Sequence, residues 1–275
     1  MSNARSHYII AWLLLIVSVG CAWGIGYPIL IAMITTGIVH LLAAVPAIYY
    51  QTERFFDLTG MMAVLSMLVV TYYIQSALSP RAVLLLVLCA IWSLRLGLFL
   101  FRRILQAGSD RRFDRIKSTP SQFIMTWCLS VAWTFFTLLA ALCAISSDIA
   151  VDLGAWDWVW CAGWVLAFIA ECVADWQKRQ FRRQYGRSRY IDIGLWQYSR
   201  HPNYVAEIIL WVMIAALSWP QLSGMAYIGL FSPVAVWLLL RYVSGVPMLE
   251  ADADHQFGHL ASYQAYKAKT PCLFL

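Results

Sequence analysis

Apolar runs of spanning length recur from one end of this 275-residue chain to the other, and no other feature constrains its fold so tightly. About 20 predominantly apolar residues cross the hydrocarbon core as a helix. With no water there to satisfy backbone N–H and C=O groups, the alternative to helices is a closed barrel. Barrel strands alternate apolar and polar residues over about ten positions, whereas "AWLLLIVSVGCAW" (11–23) and "AVLLLVLCAIW" (82–92) show no alternation. Composition agrees: 61% of residues are hydrophobic and 12% charged, against about a quarter charged in soluble domains. The chain therefore reads as all-α, a polytopic integral membrane helix bundle forming one transmembrane domain over residues 1–275. Its candidate spans are 8–25, 28–50, 58–77, 82–104, 123–145, 156–175, 204–219 and 225–243. Only "GY" divides the first two, so residues 1–50 hold one span or two and the total is seven or eight transmembrane helices. The first run lacks a small-residue cleavage site and reads as a retained span, not a signal peptide.

Charge orients the spans. Of 20 Lys and Arg residues, six fall in 102–117 and seven in 178–200. Loops rich in Lys and Arg stay cytoplasmic, and two spans separate these loops, so both fit on that side. The segments 51–57, 102–117, 178–203 and the tail after Arg241 then converge on one face. Attraction to anionic headgroups accounts for the basic excess, but not for the acids, amides and tyrosines mixed into it.

Several of those groups sit where burial is costly. In "ECVADWQKRQFR", a helix would align Glu171, Asp175, Arg179 and Arg182 on one stripe. An i,i+4 ion-pair ladder is the plain explanation, yet Glu171 follows "WVLAFIA" at membrane depth, where an ionisable group marks a function or an internal pair. Glu207 repeats the question in "SRHPNYVAEIILW", one turn past Asn203, with Arg200 and His201 ahead of it. Pro202 suits the first helical position, and the N–H groups of that helix start would face an anion. Glu53 and Asp57 stand four residues apart at a span junction. In a low-dielectric site such a pair splits its pKa values, leaving one acid protonated; on an ordinary helix start it complements the dipole. Arg95, inside an apolar run, either snorkels or pairs with one of these acids. Tyr263 and Tyr266 in the tail are interfacial anchors or site residues. The seven cysteines form no CxxC and have no nearby His at metal-ligand spacing, so they read as small apolar residues, with neither disulfide nor metal role. No Walker A, GxGxxG, HExxH or GxSxG signature is present, and the basic loops lack the aromatic interleaving of a nucleic-acid surface.

Together, "GLWQYSRHPNYVAE" (194–207) and "ADWQKRQFR" (174–182) resemble the C-terminal region of the steroid 5α-reductase family and its bacterial relatives. The similarity extends loosely over 51–275 and is strongest over 171–211. It implies NADPH as cofactor and reduction of the 4,5 double bond of 3-oxo-4-ene steroids or similar enones. It places Arg95, Arg103, Glu171, Asp175, Arg179, Arg182, Tyr190, Tyr198, His201, Asn203, Glu207, Arg241, Tyr263 and Tyr266 at the cofactor. On the catalytic side it implies Glu53 or Asp57 as the acid polarising the substrate carbonyl, with Tyr72 and Trp92 beside it. Here the family pattern is broken: Glu53 follows Thr52 where the family has Gln, and the family tyrosine falls near Trp92. The implied partners are a hydrophobic substrate entering from the bilayer and membrane lipids, with no nucleic acid. The protein is expected to be a monomer in the bacterial inner (plasma) membrane, its cofactor site and C-terminus facing the cytoplasm. "RHPNY" also resembles the RHPxY motif of S-adenosylmethionine-dependent membrane methyltransferases such as isoprenylcysteine carboxyl methyltransferase. Those pair it with a double glutamate in the last span region, where this chain has Glu250 alone.

Overall fold

A computed structural model describes residues 2–75 and 78–274, and within them all side chains except those of Ser2, Asn3, Arg111, Arg112 and Arg115. The described chain is 82% helix without strands. Eight of its helical segments are long and apolar enough to cross a membrane: Ala4–Ile25, Tyr27–Tyr49, Phe56–Ile74, Pro80–Ala107, Pro120–Ile145, Ala155–Tyr185, Pro202–Gln221 and Gly224–Phe257. Ala77, the expected end of the third span, lies outside the described residues. The helices are α1 (Ser2–Ile25), α2 (Tyr27–Tyr49), α3 (Phe56–Ile74), α4 (Pro80–Ala107), α5 (Arg111–Lys117), α6 (Pro120–Ile145), α7 (Ala155–Tyr185), α8 (Pro202–Ser218), α9 (Ser232–Leu238), α10 (Val246–Phe257) and α11 (Ala261–Lys269). They form two compact units, one of Met1–Leu153 with Leu217–Ser232, the other of Gly154–Ala216 with Pro233–Leu275.

In the first unit, the opening apolar stretch resolves into two helices. Gly26 adopts φ +150°, a conformation that costs glycine little and other residues much, and Pro28 follows in the first turn of α2. The hub is α6, whose spanning window is 78% buried; it packs against α1, α2, α3 and α4. Between α3 and α4 the backbones approach closely: a Cβ on Gly97 would collide with Met61 Cβ. At one end of this unit the buried Arg81 donates to the carbonyls of Val151 (3.2 Å) and Asp152 (3.1 Å). Beside it Gln221 donates to Ser79 Oγ at 2.8 Å and Ile149 O at 3.0 Å. These bonds satisfy a buried guanidinium that water cannot reach.

In the second unit, α7 continues past Asp175 to Tyr185, so the whole 171–182 stripe is helical as its spacing requires. Gly186 ends it, and Arg182 Nη1 donates to Gly186 O at 3.1 Å. Pro202 is the first residue of α8. The last expected span, 225–243, is not one α-helix: a 3₁₀ stretch (Gly224–Phe231) precedes α9, and a π-helical turn (Leu239–Val243) follows it. Such turns are rare within helices and recur at functional sites.

Candidate functional site

The second unit carries the larger polar cluster, and its scaffold is the loop between α7 and α8. Trp196 Nε1 donates to Ala174 O at 3.1 Å, and Leu195 N–H donates to Gln177 Oε1 at 3.0 Å. Lys178 lies over the Trp196 ring at 4.7 Å. From the tail, the Tyr266 hydroxyl donates to Trp196 O at 2.6 Å, and Arg200 N–H donates to Pro271 O at 2.9 Å. The entry to α8 is thus pinned from both sides.

Two constellations hang on that scaffold. In the first, Asn203 Nδ2 donates to Asp175 Oδ1 at 3.2 Å, joining α8 to α7. Glu171 and Glu207, each one turn deeper on its own helix, are 2% and 5% exposed. In the second, Glu250 at α10 receives Arg200 and His201 together. Arg200 Nη2 meets Oε2 at 3.0 Å, and Arg200 Nε and His201 Nε2 meet Oε1 at 3.3 and 2.8 Å. Arg200 Nη1 also donates to the carbonyls of Lys267 (2.9 Å) and Thr270 (3.2 Å). Burial pushes the His201 imidazole below its ordinary value, against the pull of Glu250. With Nε2–H committed to the carboxylate, the neutral ring presents Nδ1 as a bare acceptor. That atom is buried and has no partner among the described residues, a condition that calls for a water or ligand donor. Cys272 completes a group of His201, Glu250 and Cys272 whose ligand atoms lie within 4.8 Å of one another. A cation there would compete with Arg200 and with Lys267 Nζ, 3.8 Å from the same carboxylate, so the charge balance opposes a metal.

The first unit holds a cavity of about 60 Å³ lined by Asp57, Trp92, Ser93, Ser130, Trp133 and Thr134 among others. It has room for about two waters; drug-sized pockets are about 300–1,000 Å³. A larger groove, about 450 Å³, opens outward between α2 and α3 along Ile38, Val39, Met62 and Val69.

The other expected site residues have the following surroundings. Glu53 lies in the turn before α3, not on one helix face with Asp57. It accepts from Lys117 Nζ (2.9 Å) and from the Asp110 N–H (2.9 Å). Burial alone would raise its pKa, but Lys117 and the Asp110 amide hold it below the ordinary value. Glu53 is therefore an ionised acceptor. Tyr72 is 51% exposed and packs on Tyr73, about 22 Å along α3 from Asp57 at 1.5 Å per residue. Arg95 lies over Phe99 on its own helix (5.4 Å). Arg103 is exposed and reaches Asp110 at 3.5 Å. Arg179 is exposed, and Arg182 caps its own helix. Arg241 sits over its neighbour Tyr242, and Tyr198 is exposed. Tyr190 packs with Phe257, Tyr263 and Tyr266 in an aromatic group that supports the tail; the Tyr263 hydroxyl donates to Asp254 Oδ1 at 3.2 Å. Burial raises the pKa of both Tyr263 and Tyr266.

Reading the sequence missed Glu250 as the partner of Arg200 and His201, because 49 residues separate it from the histidine. The available signal was an acid in "GVPMLEAD" directly after an apolar run.

Comparison with known proteins fits a membrane protein of this kind. An uncharacterized protein of the fission yeast Schizosaccharomyces pombe is 23% identical over an alignment covering 56% of this chain and 55% of its own length. The chain thus spans about half of that relative. No solved structure matches. Residues 45–270 match the family described as a protein of unknown function, DUF1295, membrane proteins related to the steroid 5α-reductases. With most of its length matched, the chain belongs to the DUF1295 family.

Proposed function

We propose that this protein is an NADPH-dependent membrane reductase of the carbon–carbon double bond of hydrophobic enones, 3-oxo-4-ene steroids among them. The observation that carries the reading is the Asn203–Asp175 hydrogen bond at 3.2 Å. It joins the two segments on which the reductase resemblance rests, with the buried acids Glu171 and Glu207 one turn away on either helix. Isolated acids at membrane depth are expensive, so a paired polar edge there is suited to binding.

The residues of the second unit fit a dinucleotide in charge and donor type. The exposed Arg179, Arg183, Arg187 and Arg189 lie on or just after α7, and guanidinium groups match phosphate in bidentate fashion. The bare, buried Nδ1 of His201 takes a hydroxyl donor such as a ribose provides. Asn203 and Glu207 offer amide and carboxylate partners for the nicotinamide carboxamide. The bound cofactor would supply a hydride; the chain supplies position and charge. In the first unit, Asp57 would be the acid that polarises a substrate carbonyl, in place of Glu53, which is paired with Lys117. Negative charge would grow on that oxygen as the double bond is reduced, and a preorganised donor there would stabilise it by about 3–4 kcal/mol. The site faces the cytoplasm under this reading, where the basic loops and the cofactor both belong.

One observation favours a second reading. RHPxY methyltransferases combine that motif with tail acids, and Glu250 does meet Arg200 and His201. Binding separates the two. Titration of the purified protein in nanodiscs with NADPH and with S-adenosylmethionine, read by tryptophan quenching, is expected to show saturable NADPH binding. Asn203→Ala is expected to weaken it at least tenfold in a protein that remains folded, with Tm lowered by the loss of the bond to Asp175. Saturable S-adenosylmethionine binding without NADPH binding overturns the reductase reading.

A further inference from the structure

Six of the seven cysteines lie within the eight candidate spans, and Cys272, in the tail after α11, lies outside them. Its side chain is half-buried, so a small water-soluble reagent reaches this sulfur where lipid and packing shield the others. The backbone around it is tied to the entry of α8 within the second unit. Arg200 N–H donates to Pro271 O at 2.9 Å, and Arg200 Nη1 to Thr270 O at 3.2 Å. Ser199 Oγ accepts from His201 N–H at 3.2 Å and donates to Cys272 O at 3.4 Å, joining the two residues through one hydroxyl.

That tether sets a thiol beside a base. Cys272 Sγ is within 4.8 Å of a ring nitrogen of His201 and of a carboxylate oxygen of Glu250. Nε2 of His201 is occupied by Glu250 at 2.8 Å, so Nδ1 is the nitrogen left to accept a proton. Nδ1 is buried and has no partner among the described residues, in a side chain 4% exposed. The order is that of a nucleophile, a base and a carboxylate that orients the base. A nucleophile–base distance longer than a hydrogen bond is usual before reaction and tightens during it. Transfer of the thiol proton to Nδ1 changes no net charge, and the imidazolium it creates is already paired with Glu250.

We propose that Cys272, His201 and Glu250 form a triad that makes Cys272 a site of oxidation by peroxides. As the sulfur attacks one peroxide oxygen, its proton passes to His201 Nδ1 and the O–O bond breaks. The departing oxygen takes that proton back from Nδ1 and leaves as water, or as an alcohol from an organic peroxide. Sulfur is oxidised by two electrons to sulfenic acid and the peroxide is reduced by two. The new S–O–H group gives Nδ1 the donor it lacks. Thiols reverse the change through a mixed disulfide. A ligand hydroxyl bound at Nδ1 would occupy the base, so the reaction belongs to the ligand-free protein and is independent of which cofactor the site takes.

The full chain in nanodiscs, without ligand, is treated with hydrogen peroxide, trapped with a cyclic 1,3-diketone and mapped by mass at every cysteine. Cys272 is expected to carry most of the trapped sulfenic acid, and a thiol reductant added before the trap to remove it. His201→Gln is expected to slow trapping at Cys272 by about 10²-fold, the low end for a lost general base. The wild type alone gives a second readout that does not depend on how that variant folds. An ordinary thiol reacts about tenfold more slowly for each pH unit below about 8.5. Burial pushes His201, which faces Glu250, Arg200 and Lys178, below its ordinary 6.5, so the base stays neutral down to that pH. The Cys272 rate is therefore expected to hold level from pH 8.5 to 6.5. A rate no greater than that of free cysteine, falling tenfold per unit over that range, overturns the triad. So does a folded His201→Gln protein whose Cys272 is oxidised as fast as in the wild type, the mark of a thiol that is merely exposed.

Discussion

Removing the Glu250 carboxylate tests whether the tail and the α8 entry are held together as described. Glu250→Ala deletes four contacts to one carboxylate, with Arg200 at 3.0 and 3.3 Å, His201 at 2.8 Å and Lys267 at 3.8 Å. Charge-assisted bonds contribute about 1.5–3 kcal/mol each, but they share one acceptor group and do not add. Breaking a buried pair by removing one partner costs about 3–5 kcal/mol. The side chains here are 14% and 17% exposed, and Arg200 keeps its bonds to Lys267 O and Thr270 O, so the low end, about 3 kcal/mol, applies. At about 2–4 °C per kcal/mol for a chain of this size, Tm should fall by roughly 6–12 °C. The assay is thermal unfolding in nanodiscs at fixed scan rate, since irreversible unfolding makes Tm rate-dependent. A double-mutant cycle with Arg200→Met should return a coupling of at least about 1 kcal/mol, within the range for contacting residues. A strictly additive cycle, or a Glu250→Ala protein that melts with the wild type, would refute the clamp.

Other outcomes follow from single contacts. Glu53 titrates below its ordinary 4.5 and Lys117 above its ordinary 10.5 in the folded protein. Their pair therefore stabilises fully between those values. Its contribution is lost as pH falls through the lowered Glu53 value or rises through the raised Lys117 value; Glu53→Gln should flatten both limbs of a Tm–pH curve. His201 titrates below its ordinary 6.5 when folded, so stability should decline as pH falls below that value, and His201→Gln should remove that slope. Gly97→Ala forces a Cβ against Met61 Cβ and should cost about 1–3 kcal/mol by overpacking, seen as a lower Tm; Met61→Gly, which removes that Cβ, should relieve the clash, whereas Met61→Ala, which keeps it, should not.

The spans were legible because spanning length and unbroken apolar character need no knowledge of partners. The start of α8 was legible from Pro202, and the 171–182 stripe from its 3.6-residue period. Contacts between distant segments were not. Glu250 carries no local mark tying it to Arg200 and His201, and Glu53 reads as half of an acid pair until Lys117, on α5, reaches it. His40 vanishes into "ITTGIVHLLAA", where its polarity is absorbed by Ser130 Oγ, which only packing of α2 on α6 brings within 3.0 Å of its Nε2. The resemblance also gives cofactor roles to Arg182, Arg95 and Tyr198. The fold gives Arg182 a helix-capping bond, lays Arg95 over a ring of its own helix and leaves Tyr198 exposed.

The central claim is the reaction itself. Purified protein in nanodiscs, given NADPH and a 4-ene-3-one steroid, is followed at the nicotinamide absorbance band and by mass analysis of the product. The expected result is enone-dependent loss of NADPH with one saturated product per cofactor oxidised, diminished in Asn203→Ala and Asp57→Ala. NADPH left unconsumed with every enone tried, by a protein that remains folded, would contradict it.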